Sequence, residues 1–147
     1  MAKRPKSFNP KVSKQPRHEK NPDNFLDMNV CWQFRRMEFN ANSFWDWNDV
    51  LSDRRVYNTL SNYETMKLRE VRNRKNHLIP VNDLNKIAKN ILEKKGLYDV
   101  ESLQSFHIIG NIRVYCIPKG NVMQLLWYDI YHDDVKRGVC PSPKKHT

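Results

Sequence analysis

Arginine, tyrosine, glutamine and histidine recur at strand spacing near the end of the chain, and together these residue types suit a phosphodiester. Residues 112–117 and 122–128 alternate as strands, joined by Pro118-Lys119-Gly120-Asn121 as a four-residue hairpin connection. Pairing Ile117 with Val122 sets Tyr115 opposite Gln124 and Arg113 opposite Leu126. Arg113, Tyr115, Gln124 and Tyr128 then share one mixed face, with Asp129 and His132 just past the strand end. Cleaving RNA without a metal requires a base to take the 2′-hydroxyl proton, a cation to stabilise the phosphorane, and an acid to protonate the leaving 5′-oxygen. Arg113 supplies the cation as a bidentate fork, and His132 serves as acid or base near neutral pH. A tyrosine such as Tyr115 or Tyr128 stacks a base or donates a proton, and Gln124 adds a polar contact. The plain alternative is that Arg113 pairs with a surface carboxylate while the tyrosines are amphipathic edge residues.

The elements that must position this group read as follows. A strand covers 30–39, where Trp32, Phe34 and Arg36 alternate with Cys31, Gln33 and Arg35. Asn40-Ala41-Asn42-Ser43 is a turn, and Phe44, Trp45 and Trp47 then anchor the start of a helix running through Tyr57 and Leu60. Ser61-Asn62-Tyr63-Glu64 has the form of a capping box and marks a second start. The clearest helix spans 83–95, since Leu84, Ile87, Ala88, Ile91 and Leu92 form one apolar stripe. Asn82 caps it, and Gly96 suits the position just past its end. A short turn or helix at 100–103 leads into a strand at 106–109. Ile112, Val114, Cys116, Met123, Leu125 and Trp127 form a dry face expected to pack on the 83–95 helix. The whole reads as an α+β domain over 23–135: an N-terminal strand, two or three helices, then a C-terminal antiparallel β-meander.

The flanks are different in character. Within 147 residues, 26 Lys and Arg oppose 16 Asp and Glu, a net charge of +10 that favours an anionic partner. Seven of those cations lie in residues 1–22 against Glu19 alone, among Pro5, Pro10, Pro16 and Pro22. That segment reads as a disordered basic arm. Residues 136–147 read as an extended basic tail, in which Lys144, Lys145 and His146 can supply cations to the same cleft. A further basic stretch, Arg69 to Lys75, offers Arg72, Arg74 and Lys75 to phosphates, with His77 either in that edge or in a loop capping the next helix. Cys31, Cys116 and Cys140 are odd in number and far apart, which reads as reduced thiols in the cytoplasm. No apolar run is long enough to span a bilayer, and the N-terminus lacks the apolar centre of a secretory signal. His132, Asp133, Cys140 and His146 match no defined metal spacing, and no cofactor is called for.

Arg72-Asn73-Arg74-Lys75-Asn76-His77 is similar to the Arg-polar-xxx-His motif of HEPN ribonucleases, although Pro80 stops a helix there. Gly110-Asn111-Ile112-Arg113-Val114-Tyr115 and Leu125-Leu126-Trp127-Tyr128-Asp129-Ile130-Tyr131-His132 resemble the RelE/YoeB type of bacterial toxin, a ribosome-associated mRNA endonuclease. By element order that resemblance covers roughly 28–135 and implies a helix pair against a twisted antiparallel sheet. It implies that Arg113 stabilises the phosphate, that His132 with Tyr131 acts as acid and base, and that RNA or the ribosome and an antitoxin are the partners. The C-terminal stretch also resembles a group of small bacterial proteins with a Trp-x-Asp-x-x-His strand and a Pro-x-Lys-Lys-His-Thr end. Trp127, Asp129, His132, His77, Lys144, Lys145 and His146 carry that match, which implies no activity. Residues 133–138 read as an insertion relative to both patterns, and the acids Asp133 and Asp134 there would repel RNA beside His132. Two other functions fit the same residues: a non-catalytic RNA- or ribosome-binding module, and an interaction subunit using Trp32, Phe44, Trp45 and Trp47.

Overall fold

The structure, a computed structural model, describes residues 24–39, 44–72 and 75–141. Its regular elements, in chain order, are β1 (Cys31–Gln33), α1 (Arg54–Tyr63), α2 (Leu68–Val71), β2 (Leu78–Pro80), α3 (Lys86–Lys94), β3 (Ser102–Ile109), β4 (Ile112–Lys119) and β5 (Val122–Asp129). They form an α+β fold around a five-stranded mixed sheet ordered β1-β5-β4-β3-β2. All neighbours are antiparallel except β1, which runs parallel to β5. The expected arm at 1–22, the turn at 40–43, Arg74, and the Lys144–His146 end lie outside the described residues.

Two Gly-Asn pairs set the register of the meander. Gly110 (φ +58°) and Gly120 (φ +64°) open two-residue turns, because a tight hairpin needs positive φ that only glycine adopts without strain. The β4–β5 connection is therefore Gly120-Asn121, with Lys119 opposite Val122, rather than the four-residue loop expected from Pro118. Pro118 instead sits within β4, opposite Met123. The resulting partners of Tyr115 and Arg113 are Trp127 and Asp129, not Gln124 and Leu126.

A bulge corrects the face assignment as well. Between the pairs Tyr115–Trp127 and Cys116–Leu125, Leu126 is an extra residue on β5. Beyond it the alternation reverses. Trp127 turns onto the face of Tyr115, and Tyr128 turns to the other, where its ring lies 5.5 Å from Trp47. Tyr128 thus leaves the mixed face to which simple alternation assigned it.

The sheet is covered on both sides. Val114, Cys116, Met123, Leu125 and Phe106 pack against Val56, Leu60 and Tyr63 of α1 and Leu68 and Val71 of α2. Tyr115, Ile117, Leu126, Trp127 and Leu103 pack against Ala88 and Leu92 of α3. The face expected to pack on the 83–95 helix therefore packs elsewhere: Ile112, Val114, Cys116, Met123 and Leu125 lie against α1 and α2, and of that set only Trp127 packs with α3.

Local chemistry explains the helix boundaries. Asp53 caps α1 by accepting from the Arg55 amide at 2.9 Å. Ser61 does not start a helix. Its hydroxyl donates back to the Asn58 carbonyl, and residues 61–63 end α1. Residues 81–83 form a 3-10 turn, so the cap of α3 is Asn85, whose side chain accepts from the Ile87 amide at 2.8 Å, and not Asn82. The strand expected over 30–39 is only three residues long. Beyond it, the Glu38 amide donates to Leu126 O and the Trp45 carbonyl accepts from Tyr128 N, and these contacts occupy the rest of the β5 edge. Trp45 and Trp47 are fully buried, one in each core; Trp47 directly precedes a 3-10 turn at Asn48–Ser52, and the helix through Tyr57 and Leu60 begins at Arg54. Residues 78–80, for which no strand was expected, and 102–103, within the turn or helix expected at 100–103, pair as strands.

The chain past β5 also departs from expectation. Residues 131–141 fold back over the second core and bury Val139 and Cys140 in it, where an extended tail from 136 was expected. We call this segment the strap.

Candidate functional site

Three strands meet at the turn-110 end of the second face. His107 on β3 stands opposite Arg113 on β4, which stands opposite Asp129 on β5. Directly opposed residues share a face, so an imidazole, a guanidinium and a carboxylate form one row across the sheet. The next row is Ser105, Tyr115 and Trp127. The Gly110 carbonyl accepts from Arg113 Nη1 at 2.9 Å and lies 3.1 Å from His107 Nε2. A carbonyl only accepts, so the neutral His107 ring carries its proton on Nε2. Arg113 Nη1 also donates to Ile112 O at 3.2 Å.

The strap closes this row. Asp129 holds both of its ends: Oδ1 accepts from the Tyr131 amide at 2.7 Å and Oδ2 from the Val139 amide at 2.9 Å. Asn85 donates its amide to the Lys136 and Gly138 carbonyls, and Trp45 Nε1 donates to Arg137 O at 2.6 Å. Asp134 accepts from the Lys136 and Arg137 amides and pairs with the Arg137 guanidinium at 2.7 Å. The turn is so tight at Gly138 that an added Cβ would come within 2.6 Å of the Tyr131 carbonyl. Within the strap His132 is only 5% exposed, and beneath it Arg113 is only 6% exposed.

Burial sets the protonation of the group. His132 is held down to about 4, first by desolvation and then by the Arg113 charge, against a smaller opposing pull from Asp133. Both of its ring nitrogens are buried without a hydrogen-bond partner among the described residues. Asp129 is pushed up to about 6 by burial, although its two amide donors and Arg113 pull the other way. Burial, and then Asp129, raises the Tyr115 phenol well above its usual range, and its hydroxyl has no partner among the described residues. Burial lowers Arg113 and, with the Arg113 charge, His107.

The His132 and Asp129 shifts have opposite consequences for stability. A histidine depressed from 6.5 to about 4 costs stability as pH falls through that window, because the unfolded chain takes up the proton first. A carboxyl raised from 3.8 to about 6 costs stability as pH rises through its window, because the unfolded chain ionises first. The two slopes, each approaching 1.4 kcal/mol per pH unit, largely cancel between them. Chemical denaturation of Asp129→Asn is expected to show stability falling as pH drops from 6 toward 4, and that of His132→Gln falling as pH rises over the same range. Parallel curves for the two variants would contradict this coupling.

Of the residues singled out in the sequence, Arg113, Tyr115 and His132 come together. Tyr131 does not join them. It packs 5.8 Å from Phe44 with the Arg137 guanidinium 4.4 Å over its ring, because neighbouring residues of the strap turn opposite ways. Gln124 keeps the predicted face but lies at the far end of β5, donating to Gln33 Oε1 at 2.9 Å. Arg72 is half-buried and donates to Gln104 Oε1 at 2.8 Å, so it is not a free phosphate contact. Lys75 is exposed near His107. His77 is not helical, as the HEPN-like motif would require. Its carbonyl accepts from the Ser105 amide, and its own amide donates to Ser105 Oγ. His107 escaped the sequence reading because a bulge between His107 and Ile109 shifts it opposite Arg113, where straight counting from the turn gives Ile108. Among the described residues no three His, Cys, Asp or Glu side chains are grouped to hold a metal ion. Nor is any helix among them long and apolar enough to cross a membrane. Cys31 is exposed, whereas Cys116 and Cys140 are buried.

No protein-family model matches the chain, and searches of curated proteins and of solved structures each returned no match.

Proposed function

We propose that the protein is a toxin-like endoribonuclease that cleaves RNA without a metal by 2′-hydroxyl attack. The observation that carries this reading is the convergence of Arg113, Tyr115 and His132 at one end of the sheet, beside His107. His132, neutral at ordinary pH, takes the 2′-hydroxyl proton while that oxygen attacks phosphorus. Arg113 stabilises the phosphorane, and Tyr115, which keeps its proton, gives it to the departing 5′-oxygen. The products are a 2′,3′-cyclic phosphate and a 5′-hydroxyl. All three side chains are buried and His132 is itself part of the strap, so in this reading RNA reaches them by a local opening beside the strap, which stays in place. Of the described residues, sixteen are Lys or Arg and fourteen Asp or Glu, so most of the net charge lies in the terminal segments. In this reading those segments, with Lys144, Lys145 and His146, attract the RNA backbone by counterion release. The RelE/YoeB-like element order, an antitoxin-like partner and a cytoplasmic setting belong to the same proposal. The test is RNA cleavage and RNA affinity measured side by side for Arg113→Ala and His132→Ala. Lost cleavage with retained affinity supports the nuclease. Unchanged cleavage and affinity in both variants removes it.

A second reading, a protein-interaction subunit, rests on a different surface. An apolar groove of about 320 Å³ lies between β1 and α1, lined by Trp32, Phe34, Tyr57 and Leu60. Phe34 and Tyr57 are 58% and 62% exposed and line the same groove, a contiguous apolar patch of the kind that marks interaction sites. Trp45 and Trp47, expected to serve this role, are core. On this reading Phe34→Arg leaves the isolated fold intact and abolishes co-purification of a partner that wild type retains. A partner retained equally by Phe34→Arg would exclude the groove.

A further inference from the structure

A separate cationic pocket lies at the outer edge of β5, away from the His107–Arg113–Asp129 row. The Met37 amide donates to the Phe34 carbonyl at 3.1 Å and closes a tight turn whose two central residues are Arg35 and Arg36. Lys95, at the end of α3, faces this turn, and Met37 and Leu126 complete a cavity of about 140 Å³. Glu38 is the carboxylate nearby, and it is already engaged by Lys95 Nζ at 2.7 Å and by Trp127 Nε1 at 3.0 Å. Neither Arg35 nor Arg36 has a carboxylate partner among the described residues. The Nε of Arg36 is moreover buried with no hydrogen-bond acceptor there. A buried guanidinium N–H without an acceptor is costly, and arginines gathered around a small polar cavity are paired in most proteins. We infer that this pocket binds a phosphoryl group, held by the Arg35 and Arg36 guanidiniums with Lys95 beside them. Guanidinium forks match phosphate oxygens in pairs, and the cavity has room for one such group. This site does not depend on the nuclease reading, since none of its residues belongs to the Arg113 row.

The ligand is presented either as free phosphate or a mononucleotide, or by the backbone of an RNA strand. Calorimetric titration of the full chain with inorganic phosphate, with a nucleoside 5′-monophosphate and with a short single-stranded RNA, all at matched ionic strength, separates these sources. Arg36→Gln is expected to weaken binding by about tenfold or more, and Arg35→Gln, at an exposed turn position, to weaken it in the same direction without risk to the fold. If the loss is seen with phosphate or the mononucleotide, the pocket takes a free phosphoryl group. If it is seen with RNA alone, the pocket takes a backbone phosphate. Wild-type affinity for all three ligands in both variants would overturn the assignment.

Discussion

Replacing His132 with alanine is expected to lower RNA cleavage by about a hundredfold to ten-thousandfold, the usual contribution of a positioned proton acceptor. The loss should appear without unfolding. The two ring nitrogens of His132 are buried and unpartnered among the described residues, so alanine removes polar groups that cost stability as well as leaving a small cavity. The pH profile separates this role from a structural one. A base held near 4 by burial and by Arg113 is already deprotonated throughout the neutral range. Cleavage by wild type should therefore be flat on its acid side down to about pH 5 and fall only as pH approaches 4. A profile breaking near 6.5 would mean a base in an ordinary aqueous environment, which this one is not. Arg113→Lys is the companion variant. It keeps the charge but loses the fork, so it should retain only part of the activity that Arg113→Ala loses altogether.

The largest stability effect is expected at Trp45. Its indole is fully buried, its ring centroid lies 5.0 Å from that of Trp127, and its N–H donates to the Arg137 carbonyl of the strap. Trp45→Ala opens a cavity in the second core and orphans that carbonyl. Truncating a buried tryptophan costs about 3–5 kcal/mol, a large part of the stability of a domain this size. Urea denaturation measures the loss directly, and a loss below about 1 kcal/mol would mean that the ring is not buried as described. Trp45→Phe is the informative control. It keeps most of the apolar contact and removes only the hydrogen bond to the strap, so its smaller loss of about 1 kcal/mol reports how firmly the strap is tied down.

The stripe of α3 was legible because 3.6-residue periodicity depends only on which residues are apolar. Ala88 and Leu92 are buried as it required and Gly96 stands just past the helix end, although Ile87 is exposed and Leu84, also buried, precedes the helix. The alternation of β4 and β5 was equally plain, but the side to which each residue turns was not. A single extra residue at Leu126 reverses every side chain beyond it, and nothing in the run Gln124-Leu125-Leu126-Trp127 marks where the bulge falls. That one step separated Tyr128 from Arg113 and brought Trp127 to the other core. The same limit hid His107. Arg113, Tyr115 and His132 were recoverable because they cluster in sequence and their residue types fit one chemistry. The strap was opaque for another reason. Asp133-Asp134-Val135-Lys136-Arg137-Gly138 is polar and has no period, and it is ordered by long-range partners, Asn85 and Trp45, that no local pattern announces. Asp129 was legible as a residue near the strand end, but not as the carboxylate that ties both ends of that segment.

The most direct measurement is the fate of a single phosphodiester. An RNA oligomer carrying the preferred cleavage position is incubated with the purified full-length protein, alongside an identical oligomer with 2′-deoxyribose at that one position, both in the presence of a chelator. The expected result is cleavage of the first, with 2′,3′-cyclic phosphate and 5′-hydroxyl ends, and no cut at the substituted position of the second. Cutting at the 2′-deoxy position, or no cleavage of either oligomer by wild-type protein, would contradict 2′-hydroxyl attack at the Arg113–His132 group.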